Sequence, residues 1–281
     1  MRPSGSSKVV GVIGDPIAHS LSPVIHNAAF DAMGLDWVSV AFRVVAGHVP
    51  EALAGMRALE IMGLSVTTPH KDPAAHCVDE LSDLAGRLGA VNCVSLRHGK
   101  LLGDSTDGEG FVEALRRGGE LDPAGRICVV VGAGGAARAV VLALAEAGAA
   151  EVVVVNRTPE RAARAAALAQ ERGRVGSAED ASGADLVVQA TSLGMSGAPG
   201  IAKPEAKDMA LDPNLLHGGQ LVVDLVVNPL VTAFLEAAAA RGARTLGGLG
   251  MLVHQAALAI ERWTGEEAPV TEMWKAVGVR A

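Results

Sequence analysis

The chain has 281 residues, of which 24 are Lys or Arg and 31 Asp or Glu, for a net charge of −7; 49% are apolar and none is Tyr. That length suits two domains of the usual ~100–200 residues, and the apolar content is too high for a disordered chain. An acidic chain without a long basic run excludes the usual binders of nucleic acid and of anionic membrane surfaces.

The elements follow in chain order. Met1–Lys8 is short and polar, without the apolar run of a secretory leader. Val9–Ile13 is predicted as a strand. Ile25, Ala28, Ala29, Ala32 and Met33 then recur at the spacing of one helix face, with Ser22 as N-cap and Pro23 as first helical residue. Val38–Val44 reads as a strand, Glu51–Leu59 as a helix, Ile61–Thr67 as a strand and Pro73–Leu81 as a helix. Ala90–Leu102 forms a hairpin that turns at His98-Gly99.

Beyond Gly110 the strands Ile127–Val131, Val152–Val155, Leu186–Gln189 and Leu221–Leu225 alternate with the helices Ala136–Ala147, Pro159–Gln170 and Val231–Ala240. Ile127–Gly148 is almost wholly apolar, yet Arg138 and three glycines make it a strand, turn and helix rather than a membrane span. Apolar strands alternating with helices predict a parallel sheet covered on both faces. Helices at Met251–Trp263 and Val270–Ala276 end the chain. The expected fold is α/β with two α/β domains. One comprises residues 1–109 with about 247–281, its last helix returning to it; the other, 110–246, is a Rossmann-type dinucleotide unit.

The dinucleotide reading rests on Gly132-Ala133-Gly134-Gly135-Ala136-Ala137, which follows a strand and opens a helix. Gly132 allows the tight turn, Gly134 lets a pyrophosphate approach the backbone, and the helix N-terminus offers unpaired N–H groups. The second strand ends at Asn156-Arg157-Thr158 rather than at the Asp or Glu that binds an NAD ribose. Arg157 can pair with a 2′-phosphate and stack on adenine, and Thr158 can cap the next helix. The cofactor is therefore read as NADP(H).

In the first half, Ser20 and Ser22 sit in a loop at a helix start, where two hydroxyls and the helix dipole can hold a carboxylate. Asp72-Pro73 reads as another helix start, which places Lys71 where the dipole disfavours a cation. The eight histidines show no metal-ligand spacing, and no metal site is expected. Cys77, Cys93 and Cys128 lack a CxxC pair and read as buried, reduced thiols of a cytoplasmic protein.

Seven segments in order carry a family resemblance: Pro16–Pro23, Ser65–Lys71, Ala90–Cys93, Gly103–Gly108, Gly132–Ala136, Asn156–Thr158 and Gly248–Ala256. The chain resembles the shikimate dehydrogenase family over nearly its whole length. The resemblance implies a substrate-binding, catalytic first domain and NADP-dependent, reversible reduction of 3-dehydroshikimate to shikimate, on the route to chorismate and the aromatic amino acids. It implies that Ser20 and Ser22 hold the substrate carboxylate and that Thr67, Asn92, Asp107 and Gln255 bind the ring hydroxyls. Lys71 would carry the proton, paired with Asp107. Thr191 and Gly248 would lie beside the cofactor. A monomer or homodimer whose partners are small molecules is expected.

Against the family pattern, Ser65, Ser105 and Gln189 replace Asn, Cys93 replaces Thr, and Val227 stands where a Tyr is usual. Those departures keep open a paralogue acting on quinate or another cyclohexane carboxylate. A catalytically silent, ligand-binding regulator is the further alternative, and retention of both Lys71 and Asp107 speaks against it.

Overall fold

The computed structural model describes residues 3–195 and 211–278. The chain divides into two compact units, Met1–Thr106 with Val253–Ala281, and Asp107–Leu252.

In the first unit β1 (Lys8–Gly14) lies between two parallel neighbours, β2 (Trp37–Arg43) and β3 (Gly63–Val66). β5 (Cys93–Arg97) runs antiparallel to β3 and to β6 (Lys100–Asp104), and β4 (Glu80–Leu81) pairs with β6, giving the order β2-β1-β3-β5-β6-β4. The β5–β6 hairpin turns at His98 (φ 50°) and Gly99 (φ 77°). Two consecutive left-handed residues make the hairpin turn that matches the twist of its strands. α1 (Ser22–Met33), α2 (Val49–Ala58), α3 (Lys71–Ala75) and α4 (Asp83–Leu88) connect the strands. A core of Ile13, Leu53, Met56, Leu64, Val66 and Val94 fills one side, each side chain contributing about 1.5–3 kcal/mol by leaving water. From Val253 onward α9 (Leu249–Thr264) belongs to this unit, as does α10 (Val270–Ala276), which packs on α1. The indole of Trp263 donates to the Val94 carbonyl at 3.1 Å and lies on Gly63, where an added Cβ would overlap the ring.

Two local expectations are corrected here. The helix expected over Pro73–Leu81 stops at Ala75, and Glu80–Leu81 becomes a strand followed by α4. Asp79 explains the break. Its N–H donates to Leu101 O (2.9 Å), its carboxylate accepts the Leu101 N–H (2.6 Å), and Arg57 holds that carboxylate at 2.8 Å. These bonds draw the chain onto β6 before a second helical turn forms. Ser22 is the first residue of α1 rather than its N-cap, which is Leu21; the Ser22 N–H donates to Ser20 Oγ at 3.3 Å.

The second unit holds an all-parallel sheet, β12-β11-β10-β7-β8-β9, built from β7 (Ile127–Val131), β8 (Glu151–Val155), β9 (Gly173–Val175), β10 (Leu186–Gln189), β11 (Leu221–Asp224) and β12 (Arg244–Gly247). Counted within the unit, this is the 3-2-1-4-5-6 order of a doubly wound dinucleotide fold. Alternate residues feed opposite cores: Val130, Val154, Val188 and Val223 face one way, Val129, Val153, Val187 and Val222 the other. α5 (Asp107–Gly118), α6 (Gly135–Glu146), α7 (Pro159–Ala166) and α8 (Ala233–Ala240) complete it. Gly108 lets α5 lie on α6, since an added Cβ would stand 2.8 Å from the Ala139 carbonyl. The helix expected to reach Gln170 ends at Ala166, and a 3₁₀ stretch follows, broken at Gln170 (φ 53°). No helix among the described residues is long and apolar enough to cross a membrane.

Candidate active site

Gly14 brings two predicted segments of the first unit together. A Cβ there would stand 2.6 Å from Thr67 Cγ2 and 2.9 Å from Ile17 Cδ1, so only glycine lets the serine loop lie on the end of β3. The Asp15 N–H donates to Thr68 O at 3.1 Å, and the Ser20 N–H to Ile17 O at 3.0 Å. Ser20 is half-buried and Ser22 buried.

Lys71 is the first residue of α3. Two contacts fix its backbone. His70, buried, donates from Nε2 to Val44 O at 2.6 Å, and the Lys71 carbonyl accepts the Val91 N–H at 2.9 Å. His70 is thereby a structural residue. The next residue after Val91 is the hub of the unit. Asn92 Oδ1 accepts the Thr106 N–H at 2.7 Å, and its Nδ2 donates to Thr106 Oγ1 at 3.0 Å and Gln255 Oε1 at 3.2 Å. Thr106 Oγ1 donates in turn to the Gln255 carbonyl at 3.0 Å. Thr106 is fully buried, yet no spacing rule singles it out; its signal is only its place before Asp107. Asp107 opens α5 and is 4% exposed.

Asp104 braces the same segment. Burial alone would push its carboxyl up, but the Ser82 hydroxyl (2.6 Å), the Arg262 guanidinium (2.5 Å) and the Ser105 N–H (2.8 Å) hold it below the usual carboxylate range. Burial pushes the Cys93 and Cys128 thiols up to about 12, which makes both unreactive. Among the described residues no group of three His, Cys, Asp or Glu side chains could hold a metal ion.

In the second unit the glycine turn fits a dinucleotide. Gly132 has φ +121°, a conformation that L side chains rarely adopt, and its N–H donates to Val155 O at 2.8 Å. Gly134 caps α6 with no side chain, and a Cβ there would point into open space, where a phosphate can come against the backbone. Gly135 and Ala136 are the first helical residues, and Ala137 is fully buried beneath them. Their N–H groups and the helix dipole form an anion site. At the end of β8, Asn156 donates to Thr158 O at 3.0 Å and Arg157 is exposed. Thr158 occupies the N-cap position before Pro159, but its hydroxyl makes no cap bond, contrary to expectation. Thr191 lies against Gly132, whereas Gly248 lies against the backbone of Leu225, which leaves no room for a Cβ.

Family models match along the chain: shikimate dehydrogenase substrate binding domain at residues 12–94, shikimate/quinate 5-dehydrogenase at 116–229, and shikimate 5′-dehydrogenase C-terminal domain at 248–277. A shikimate dehydrogenase (NADP(+)) of Moorella thermoacetica is 45% identical over 95% of this chain and 92% of its own. The chain belongs to the shikimate dehydrogenase family. A shikimate dehydrogenase (NADP(+)) of Methanopyrus kandleri is 46% identical, covering 96% and 95% of the two chains. The crystal structure of the Thermus thermophilus shikimate 5-dehydrogenase in complex with NADP(H) and shikimate superposes with a TM-score of 0.85 at 39% identity, over 96% of this chain and 98% of that one.

Proposed function

We propose that the protein is an NADP-dependent shikimate dehydrogenase, which reversibly reduces 3-dehydroshikimate to shikimate in the cytoplasm. The observation that carries this reading is the junction of Lys71, Asn92 and Gln255 in one unit, in a chain of the family. The first unit is the substrate-binding domain and the second the cofactor domain, and the enzyme acts as a monomer or homodimer on small molecules.

Bound NADP(H) supplies or takes up the hydride at the substrate's C3. The residues of the chain do the rest. Ser20 and Ser22 donate hydroxyl protons to the carboxylate at the start of α1, where the helix dipole favours an anion. Thr67, Asn92 and Gln255 hold the ring hydroxyls and so fix which carbon is presented. As the C3 carbonyl gains charge, the Lys71 ammonium gives a proton to its oxygen, leaving a neutral amine and an alcohol; in oxidation the proton returns. Asp107 is the acidic residue that the family resemblance assigns to the same step. Gly132–Ala136 would hold the phosphates of the cofactor, Asn156, Arg157 and Thr158 its adenosine end, and Thr191 and Gly248 its nicotinamide end.

A second reading, a dehydrogenase for quinate or another cyclohexane carboxylate, draws on two positions. Ser65 is buried with a hydroxyl that has no hydrogen-bond partner, and Val227 offers no donor where a phenol is usual. Incubating the purified protein with shikimate and NADP+ tests the proposal. Growth of nicotinamide absorbance that stops in Lys71→Ala supports it; no growth with shikimate rejects it.

A further inference from the structure

The sheet of the second unit reverses its strand order between β7 and β10, and open α/β sheets take ligands in the crevice outside such a point. Gly132 sits there. An added Cβ would stand 3.0 Å from Ala190 O and 3.2 Å from Thr191 Cγ2, so residues 190 and 191 form the wall on which the glycine turn rests.

What holds that wall is a side chain. Gln189 Oε1 accepts the Thr191 N–H at 2.5 Å, and its Nε2 donates to Leu193 O at 3.0 Å, closing a ring around residues 190–193. The same Nε2 donates to Asp224 Oδ1 at 3.2 Å, from the residue beside it in register on β11. Asp224 Oδ1 also accepts the Val226 N–H at 3.0 Å, and Oδ2 the Thr232 hydroxyl at 2.6 Å. Thr232 caps α8 by accepting the Leu235 N–H at 3.2 Å. Gln189 and Asp224 are 1% and 0% exposed.

A carboxylate buried among three uncharged donors is costly to desolvate, and burial indeed raises its pKa. Its return is geometric, because one side chain fixes the strand-end loops of both β10 and β11. We propose that Asp224 and Gln189 are positioning residues for the dinucleotide, locking the 190–193 and 225–227 loops so that the Gly132 turn keeps its binding shape. The proposal rests on the reading of this unit as the NADP(H) domain. The length of Gln189 matters to the lock. An Asn would draw the amide back by one C–C bond, about 1.5 Å, and could not serve Asp224 and Leu193 together.

NADP+ titration of the full chain by calorimetry, without substrate, tests this. In Gln189→Ala and Gln189→Asn the Kd for NADP+ rises about tenfold or more, while the ratio of NADP+ to NAD+ affinity and the KM for shikimate stay near those of the unsubstituted protein. Asp224→Asn and Thr232→Val shift the Kd in the same direction, and Thr232→Ser, which keeps the hydroxyl, shifts it far less than Thr232→Val does. An unchanged Kd in folded Gln189→Asn and Asp224→Asn, whatever their Tm, overturns the proposal. Failure of the unsubstituted protein to bind NADP+ overturns the cofactor reading itself, and this inference with it.

Discussion

Asn92 and Gln255, 163 positions apart, meet in a 3.2 Å hydrogen bond from Nδ2 to Oε1. Through it α9 is fastened to the segment that follows Lys71 and Val91, and Thr106 adds a second tie to the Gln255 carbonyl. Gln255→Leu removes an acceptor from this buried cluster. It is expected to lower the unfolding free energy by about 1–3 kcal/mol and to raise the KM for shikimate more than it lowers kcat. Urea unfolding and steady-state kinetics check both effects.

The Lys71 carbonyl accepts the Val91 N–H at 2.9 Å, a backbone bond that a substitution of the side chain leaves in place. Lys71→Met is expected to lower kcat by about 10²–10⁴-fold, with KM for shikimate changed little. A kcat within twofold of the unsubstituted enzyme would remove Lys71 from the proton step.

How much of this was legible in the sequence depends on where each residue gets its order. β7, β8, β10 and β11 are buried on both faces, and their unbroken apolar runs announce them. The edge strands β9 and β12 are short and partly exposed, with Arg174 and Arg244 in them, and periodicity does not find them. α5 begins Asp-Gly-Glu-Gly, which reads as a loop until Gly108 is seen against α6. At the candidate site, the motifs name Lys71, Asn92 and Gln255, and the structure ties Asn92 to Gln255 and Lys71 to the residue before Asn92. Thr106 and Asp224 were not legible, because their roles arise from hydrogen bonds between distant segments.

His26 makes the first unit sensitive to acid. The ring is fully buried, its Nδ1 on Ser39 Oγ at 3.0 Å and its centroid 5.2 Å from that of Trp263 in an edge-to-face contact, and burial lowers its pKa from 6.5 to about 3. Above pH 6.5 it is neutral in both states and contributes no pH dependence. Between 6.5 and about 3 the unfolded chain binds a proton that the folded one refuses. Stability from this residue therefore falls with falling pH, by up to about 1.4 kcal/mol per pH unit. Urea midpoints measured from pH 7 to 4 should fall less steeply in His26→Gln; parallel slopes would contradict the assignment.

Arg157 stands exposed after β8, in an Asn156-Arg157-Thr158 run that carries no acid. Arg157→Ala should raise the KM for NADP+ by about ten- to hundredfold, the worth of a charged hydrogen bond, and leave that for NAD+ almost unchanged. Equal effects on both would mean that Arg157 does not read the 2′-phosphate.

Shikimate and quinate, each offered with NADP+ and with NAD+ to one preparation of the purified protein, give four values of kcat/KM that decide between the two substrate readings. The highest is expected for shikimate with NADP+. A higher value for quinate, or for either substrate with NAD+, would contradict it.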